Sequence, residues 1–263
     1  MPKITIKDIE MYYEIHGTGE PIIFIGGFSV DHTAWLDVIE RFKDSYQVVL
    51  FDNRGAGQTS APKNAYTIEQ MAEDVVSLCK KLNIKQSHFI GNSMGGFILQ
   101  TLAYKHPNLV KTAIISNSTY TINSCFHYYV SAQFELLKAN APLSALIKAS
   151  CCWAFSFQFL SQPGMLERLI QLTLNNPYPF TLTGYEGQYA ALDKFNSSDW
   201  VNQIKVPTLI ISGDQDLIFR EPLVKSLAEK IPNANYYCFK NCGHLPYLEY
   251  PDQFAKVVKE FIA

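Results

Sequence analysis

The chain has 263 residues, enough for one large domain with a deep core or for a core domain carrying a modest insertion. Its 22 Lys and Arg stand against 24 Asp and Glu, a formal charge of −2, and charged residues make up only 17% of the total. That balance excludes the basic footprint of a nucleic-acid or anionic-membrane binder and leaves small-molecule chemistry as the expectation.

The opening residues 1–8 alternate charge with β-formers instead of joining a basic stretch to an apolar block, so no secretory signal is read and a cytoplasmic address is expected. Residues 4–13 alternate in polarity and lead to Gly17-Thr18-Gly19, a hairpin pattern at a sheet edge. An apolar run at 22–25 follows, then Gly26-Gly27-Phe28, where glycine allows close approach to the backbone. A helical pattern covers 34–42 and a second apolar run 48–51. The loop from Asp52 to Ser60 is glycine-containing but has neither G-x-G-x-x-G nor a lysine-bearing phosphate loop. It is read as a buttress in which Asp52 and Arg54 bond internally. At 67–82, Thr67 with Gln70 makes a capping signature, and Met71, Val75, Leu78 and Leu82 fall at helical spacing.

The run at 88–90 leads directly into Gly91-Asn92-Ser93-Met94-Gly95-Gly96 and a helical stretch at 96–106. A strand that turns at once into a helix strains the apical residue, and the residues two before and two after it must be nearly free of side chain. Gly91 and Gly95 meet that need around Ser93. The same turn sets the Met94 N–H at a helix N-terminus, where it can bind a developing oxyanion. The Phe28 N–H, in the glycine loop after the 22–25 strand, is the second oxyanion candidate.

After a strand at 112–116 the alternation stops, and about eighty helix-like residues are broken by Pro142, Pro163-Gly164 and Asn176-Pro177-Tyr178-Pro179. Residues 1–118 and 201–263 are read as the core and 119–200 as an inserted helical lid. Lys148 is the only charge from Ala139 to Met165, where Trp153, Phe155, Phe157 and Phe159 crowd together. Interrupting Ser, Gln and Cys exclude a membrane span. A lid over a substrate pocket and a core private to the insertion both fit; the pocket candidates are Gly27, Trp153, Phe155, Phe159 and Leu245.

The strand pattern resumes at 207–212 and ends in Gly213-Asp214-Gln215-Asp216. A helix at 221–231, a strand at 235–239, the loop Asn241-Cys242-Gly243-His244-Leu245-Pro246-Tyr247 and a helix at 252–262 complete the chain. Strand and helix alternation of this kind gives an α/β fold, a mostly parallel sheet covered by helices on both faces.

A serine hydroxyl is a poor nucleophile and needs a histidine within reach, and that histidine needs a carboxylate to fix its tautomer. His244 lies in a glycine-flexed loop after the last strand, where that base belongs. His16, His88, His106 and His127 read as packing, capping or surface residues, whereas His32, which follows the Gly26-Gly27-Phe28 loop, fits helix initiation and a site role equally well. Asp216, three residues past the strand-ending glycine, is the favoured partner; Asp214 then holds the turn. The chain order Ser93, Asp216, His244 differs from both major serine-protease orders. Six cysteines without ligand spacing read as reduced thiols, with no metal site.

Taken together, GGF, DNRGAGQTS, GNSMGG, VPTLIISGDQD and NCGHLPYLEYPDQF resemble the α/β-hydrolase family over essentially the whole chain, in its esterase, lactonase and haloperoxidase-like branch. The resemblance implies an eight-stranded sheet, a helical cap and a cofactor-free Ser-His-Asp hydrolase. The family usually has His-Gly where this chain has Gly26-Gly27, which bears on loop geometry. GNSMGG and CGH are also similar to carbon-carbon bond hydrolases of ring-fission products, which carry a longer glycine-rich oxyanion loop. The expected activity is that of a serine carboxylesterase on an ester with an apolar acyl or alkyl group. A methyl ester of a longer acyl chain, borne on an acyl carrier, is implied only by resemblance to acyl-carrier methyl esterases. Perhydrolysis would use the same residues, and a slow-turnover ligand receptor on the same scaffold is the rival from another class.

Overall fold

The computed structural model describes residues 2–263. Its strands are β1 (Lys3–Ile6), β2 (Ile9–His16), β3 (Glu20–Ile25), β4 (Tyr46–Phe51), β5 (Ser87–Asn92), β6 (Val110–Ser116), β7 (Thr208–Gly213) and β8 (Asn235–Phe239). They form one eight-stranded sheet in the order β1-β2-β4-β3-β5-β6-β7-β8. β1 and β2 pair antiparallel, β2 meets β4 antiparallel, and every later pairing is parallel.

The helices are α1 (Leu36–Ile39), α2 (Ile68–Lys81), α3 (Met94–Lys105), α4 (Ser124–Lys138), α5 (Leu143–Ala154), α6 (Phe157–Leu160), α7 (Met165–Leu174), α8 (Leu182–Asp193), α9 (Glu221–Lys230), α10 (Pro246–Glu249) and α11 (Pro251–Ile262). Among the described residues no helix is long and apolar enough to cross a membrane.

The central strands read as continuous apolar runs because both faces are covered. Ile22, Phe24, Val48, Leu50, Ile90, Ile114, Leu209 and Ile211 pack with Trp35, Phe42, Phe254 and Val258 on the α1 and α11 side. Their neighbours Ile23, Ile25, Val49, Phe51, Phe89, Ile115 and Ile210 pack with α2, α3 and α9 on the other. This is the two-residue period of a strand, resolved into two cores. α3 is buried from Met94 through Ala103 and carries no polar face to solvent, which suits a helix at the centre of a molecule.

The helical expectation at 34–42 is only partly met. Trp35, Val38, Ile39 and Phe42 are buried at helical spacing, but the segment is a 3-10 turn, His32–Trp35, followed by the single turn α1. Arg41 and Phe42 then bond three residues back, to Val38 (3.1 Å) and Ile39 (2.8 Å), so tight turns continue where a longer helix was expected.

Between β6 and β7 run α4 to α8. The base of this insertion is closed by a bridge between Thr121 and Asn196 and by Ser197 N–H on the Tyr120 carbonyl (2.8 Å). Phe126, Val130, Tyr185, Leu192 and Phe195 join the main core, whereas Ile147, Cys151 and Phe155 form a separate cluster with α6 and α7. All six cysteines are free thiols.

Candidate active site

β5 runs into α3 with Ser93 alone at the turn, φ 56° and ψ −117°, a region a non-glycine residue enters only under constraint. The constraint is visible on both sides. A Cβ on Gly91 would lie 2.3 Å from the Gly95 carbonyl oxygen, and one on Gly95 would lie 2.2 Å from the Ile25 carbonyl oxygen. Ser93 N–H donates to Ser116 O (2.9 Å), and its own carbonyl accepts from Gly96 N–H (2.9 Å). Strain of this kind costs about 1–3 kcal/mol and persists because the surrounding backbone over-determines it. The serine is 7% exposed.

Asp216 and His244 leave the carboxyl ends of β7 and β8 and meet with Oδ2 2.7 Å from Nδ1. Asn117 Nδ2 donates to the same oxygen (3.0 Å), while Oδ1 accepts the N–H groups of Ile218 (2.8 Å) and Phe219 (3.0 Å). The Phe219 ring stands edge-on to the imidazole, centroids 5.6 Å apart. A carboxylate so surrounded accepts a proton-bearing Nδ1, which leaves the Nε2 lone pair for chemistry. Asn92 ties the serine turn to this pair: its Nδ2 donates to the carbonyls of His244 (3.2 Å) and Ser116 (3.3 Å). Asp214 accepts from the Cys242 N–H (3.3 Å), so it holds the neighbouring loop instead of its own turn.

The histidine loop is also fastened from outside the sheet. His244 N–H donates to the Ala154 carbonyl (2.6 Å) at the end of α5. Glu249 Oε1 accepts from Gly243 N–H (2.9 Å) and Ser156 N–H (3.2 Å), and Oε2 accepts the Ser156 hydroxyl (2.5 Å). Burial pushes the Glu249 carboxyl above its usual range, against the bonds from Ser156 and Gly243.

Neither the Met94 nor the Phe28 N–H donates to a protein acceptor among the described residues. Gly27 lies against the serine, its Cβ position 3.4 Å from Ser93 Cβ. The Gly26 carbonyl accepts from Asn53 Nδ2 (3.0 Å), and Ser29 N–H donates to Gln188 Oε1 (2.7 Å), so both ends of the loop are held. Where the resemblance expects a histidine at position 26 this chain has glycine, and the buried imidazole nearest in sequence is that of His32. Its Nδ1 lies 2.9 Å from Asp52 Oδ1, which also accepts its peptide N–H (2.7 Å). Burial alone would lower the His32 pKa, but Asp52, Glu14 and Asp31 hold it above the ordinary value.

Asp31, His32 and Asp52 bring donor atoms within 4.8 Å of one another. Their oxygens are already engaged: Asp31 by Thr33 and by Asn176 Nδ2 (2.6 Å), Asp52 by His32 and Gln58 N–H (2.8 Å). The cluster is a hydrogen-bonded buttress, as is Arg54, which grips Asp74 through Nε (2.6 Å) and Nη2 (2.8 Å). The other histidines pair locally, His16 with Glu14, His88 with Thr112, His106 with Glu73 and His127 with Asp193.

The expected pocket aromatics divide. Trp153 stacks on Tyr129 of α4 (4.5 Å). Phe155 and Phe159 stack on each other (5.1 Å) and join Ile147, Cys151, Leu166 and Ile170 in the insertion's own cluster. Leu245 packs between that cluster and the α11 side of the core. Sequence reasoning missed Asn92, Asn117 and Glu249. The signal for the first two was a polar residue at or just past the end of an apolar strand.

A family profile described as alpha/beta hydrolase fold matches residues 20–251. The chain belongs to the α/β-hydrolase family. This α/β-hydrolase is 26% identical over 258 residues to 3-oxoadipate enol-lactonase 2 of Acinetobacter baylyi, covering 97% of this chain and 94% of that one. A relative in Mycobacterium tuberculosis that carries the name of a non-heme bromoperoxidase is 26% identical over 270 residues, 97% of this chain and 98% of its own. The crystal structure of the enol-lactonase from Burkholderia xenovorans LB400 superposes with a TM-score of 0.90 at 26% identity, over 99% of each chain. These likenesses place the α/β-hydrolase in the esterase, lactonase and haloperoxidase-like branch, and hydrolysis is the activity that membership supports.

Proposed function

We propose that the protein is a serine carboxylic ester hydrolase working through an acyl-enzyme. Ser93 is the nucleophile, His244 the general base and acid, and Asp216 the carboxylate that orients the imidazole. The observation that carries this reading is the 2.7 Å contact between Asp216 Oδ2 and His244 Nδ1, on a carboxylate whose remaining positions are filled by fixed donors. It is supported by the strained backbone at Ser93 and by the likeness to enol-lactonases, whose substrates are cyclic esters.

In the first step Ser93 Oγ bonds to the acyl carbon while His244 Nε2 takes the hydroxyl proton. The Met94 and Phe28 N–H groups stabilise the oxyanion. Collapse of the intermediate expels the alcohol oxygen, which receives the proton from Nε2. Water then attacks the acyl-enzyme with the same imidazole as base and releases the acid. Residues 119–200 cap the core formed by 1–118 and 201–263, and their aromatic content suits an apolar acyl or alkyl group.

The test is labelling with a fluorophosphonate probe, followed by a panel of p-nitrophenyl esters of varied acyl length. Wild-type protein should label at Ser93, Ser93→Ala should not, and the variant should lose turnover by several orders of magnitude. Retained turnover in Ser93→Ala sinks the assignment, and a preference for short polar esters sinks the apolar pocket.

A further inference from the structure

Two aromatic relays link α4 to the site. At one end Phe126 packs on Phe219 (5.1 Å), and Phe219 on His244 (5.6 Å). At the other end Phe134 stacks on Tyr185 (5.7 Å), and Tyr185 meets Phe28 (4.6 Å) of the oxyanion-loop candidate. One end of the helix is therefore joined to the histidine through a single ring, and the other to the glycine loop through a single ring. Gln133 follows Phe126 by seven residues, so it shares the same helix face two turns further on, about 10 Å along the axis.

Gln133 is 7% exposed and only half satisfied. Its Nε2 donates to Tyr129 OH (2.9 Å) and Ser150 Oγ (3.3 Å), and Tyr129 OH donates to Ser150 Oγ (2.7 Å). Stacking of Tyr129 on Trp153 fixes that knot between α4 and α5. Oε1 is buried and has no partner among the described residues. A buried carbonyl oxygen without a donor is costly, and a ligand that brings one recovers the loss.

We propose that Gln133 selects the substrate, its Oε1 accepting a hydrogen bond from an N–H or O–H borne on the acyl chain some bonds away from the reacting carbonyl. The inference rests on the Ser93 and His244 reading, because that reading sets the direction of the substrate. The leaving oxygen must sit beside His244, at the Phe126 end. The acyl chain then runs from the oxyanion donors toward Phe134, where Gln133 lies. The substrate class is an ester or lactone whose otherwise apolar acyl part carries one neutral donor.

The experiment uses the full chain and p-nitrophenyl esters of N-acetylglycine, N-acetyl-β-alanine and N-acetyl-γ-aminobutyrate. Each is paired with the analogue in which CH2 replaces N–H. At one chain length the N–H ester should exceed its partner in kcat/KM by about tenfold or more, because sites built around a polar group discriminate against ligands that lack it. Gln133→Met, close in volume and without the amide, should bring that pair within about threefold of each other, and Gln133→Glu, which keeps an acceptor, should retain the preference. Absence of any preference in the wild type overturns the proposal without need of a variant, and so does a preference that survives Gln133→Met. Fluorophosphonate labelling run alongside separates the two readings. A protein that labels at Ser93 and hydrolyses both esters equally refutes the role of Gln133 alone, whereas turnover by Ser93→Ala refutes the nucleophile.

Discussion

Replacing Asp216 by Asn changes one atom in a site where each carboxylate oxygen has an assigned task. Oδ1 accepts from the Ile218 and Phe219 peptides (2.8 and 3.0 Å), and Oδ2 from His244 Nδ1 and Asn117 Nδ2 (2.7 and 3.0 Å). An amide has only one oxygen. If it stays with the two peptides, the NH2 group faces two donors, and the imidazole can keep its contact only by moving its proton to Nε2. That tautomer cannot take the serine proton. Turning the amide around instead aims NH2 at two peptide N–H groups and unfastens the acid loop. The expected loss is about 10⁴-fold in kcat, a magnitude taken from the equivalent change in a serine protease, or roughly 5 kcal/mol of barrier. Asp214→Asn is the control, since Asp214 accepts only the long Cys242 bond (3.3 Å) and a weak contact to Lys240 (3.8 Å), and should stay within a fewfold of wild type. Initial rates on p-nitrophenyl butyrate, with circular dichroism to show that each variant is folded, decide the matter. A folded Asp216→Asn protein within tenfold of wild type, or an Asp214→Asn protein equally damaged, refutes the tautomer argument.

Gly95→Ala would put a Cβ 2.2 Å from Ile25 O and 2.9 Å from Gly26 O, both backbone atoms that cannot rotate away. Fluorophosphonate labelling of Ser93 should slow by on the order of a hundredfold as the turn shifts, and unchanged labelling would mean that the elbow tolerates a methyl group. Arg54→Met leaves Asp74, whose carboxyl burial already raises, without its partner; the expected cost is about 3–5 kcal/mol, or roughly 10 °C in a thermal melt. Glu249 supplies a pH signature. Its folded pKa lies above the ordinary 4.5, so the folded state binds the proton more tightly than the unfolded chain does. Its contribution to stability is present below the unfolded value and is lost as pH rises through the folded one. Urea midpoints should therefore fall for wild type relative to Glu249→Gln as pH rises above the ordinary carboxyl value of 4.5, and parallel curves would contradict the upward shift.

The serine turn was legible in the sequence because its requirements are local: two backbone clashes demand Gly91 and Gly95, and an apolar strand and helix flank them. Of the two aspartates after Gly213, the one further along the loop, Asp216, is the one that meets His244, as its reach suggested. The parallel core was legible for the same kind of reason, since strands covered on both faces read as unbroken apolar runs. The segment at 34–42 misled because burial at helical spacing does not distinguish an α-helix from a succession of tighter turns. The crowd of aromatics in the insertion gave no means of sorting Trp153, which faces Tyr129, from Phe155 and Phe159, which face each other; their partners lie on different helices.

What stayed hidden has a common physical origin. Asn117, Asn92 and Glu249 act across loops distant in sequence, where no periodicity marks them. The backbone from Trp153 to Phe157 shows how much depends on such contacts. The Trp153 and Ala154 carbonyls accept from Leu217 N–H (3.4 Å) and His244 N–H (2.6 Å). Ser156 bonds to Glu249, and Phe157 N–H donates to Gln215 Oε1 (2.9 Å). A Cβ on Gly243 would sit 2.4 Å from the Ala154 carbonyl oxygen, so the two chains touch without room for a side chain. This single span reaches both the loop that carries Asp216 and the loop that carries His244. The sheet brings the two loops to the same edge, but the insertion satisfies the peptide N–H of the histidine itself. Any displacement of 153–157 is therefore passed to the His244 backbone through a 2.6 Å bond, which makes the insertion part of the geometry of the site.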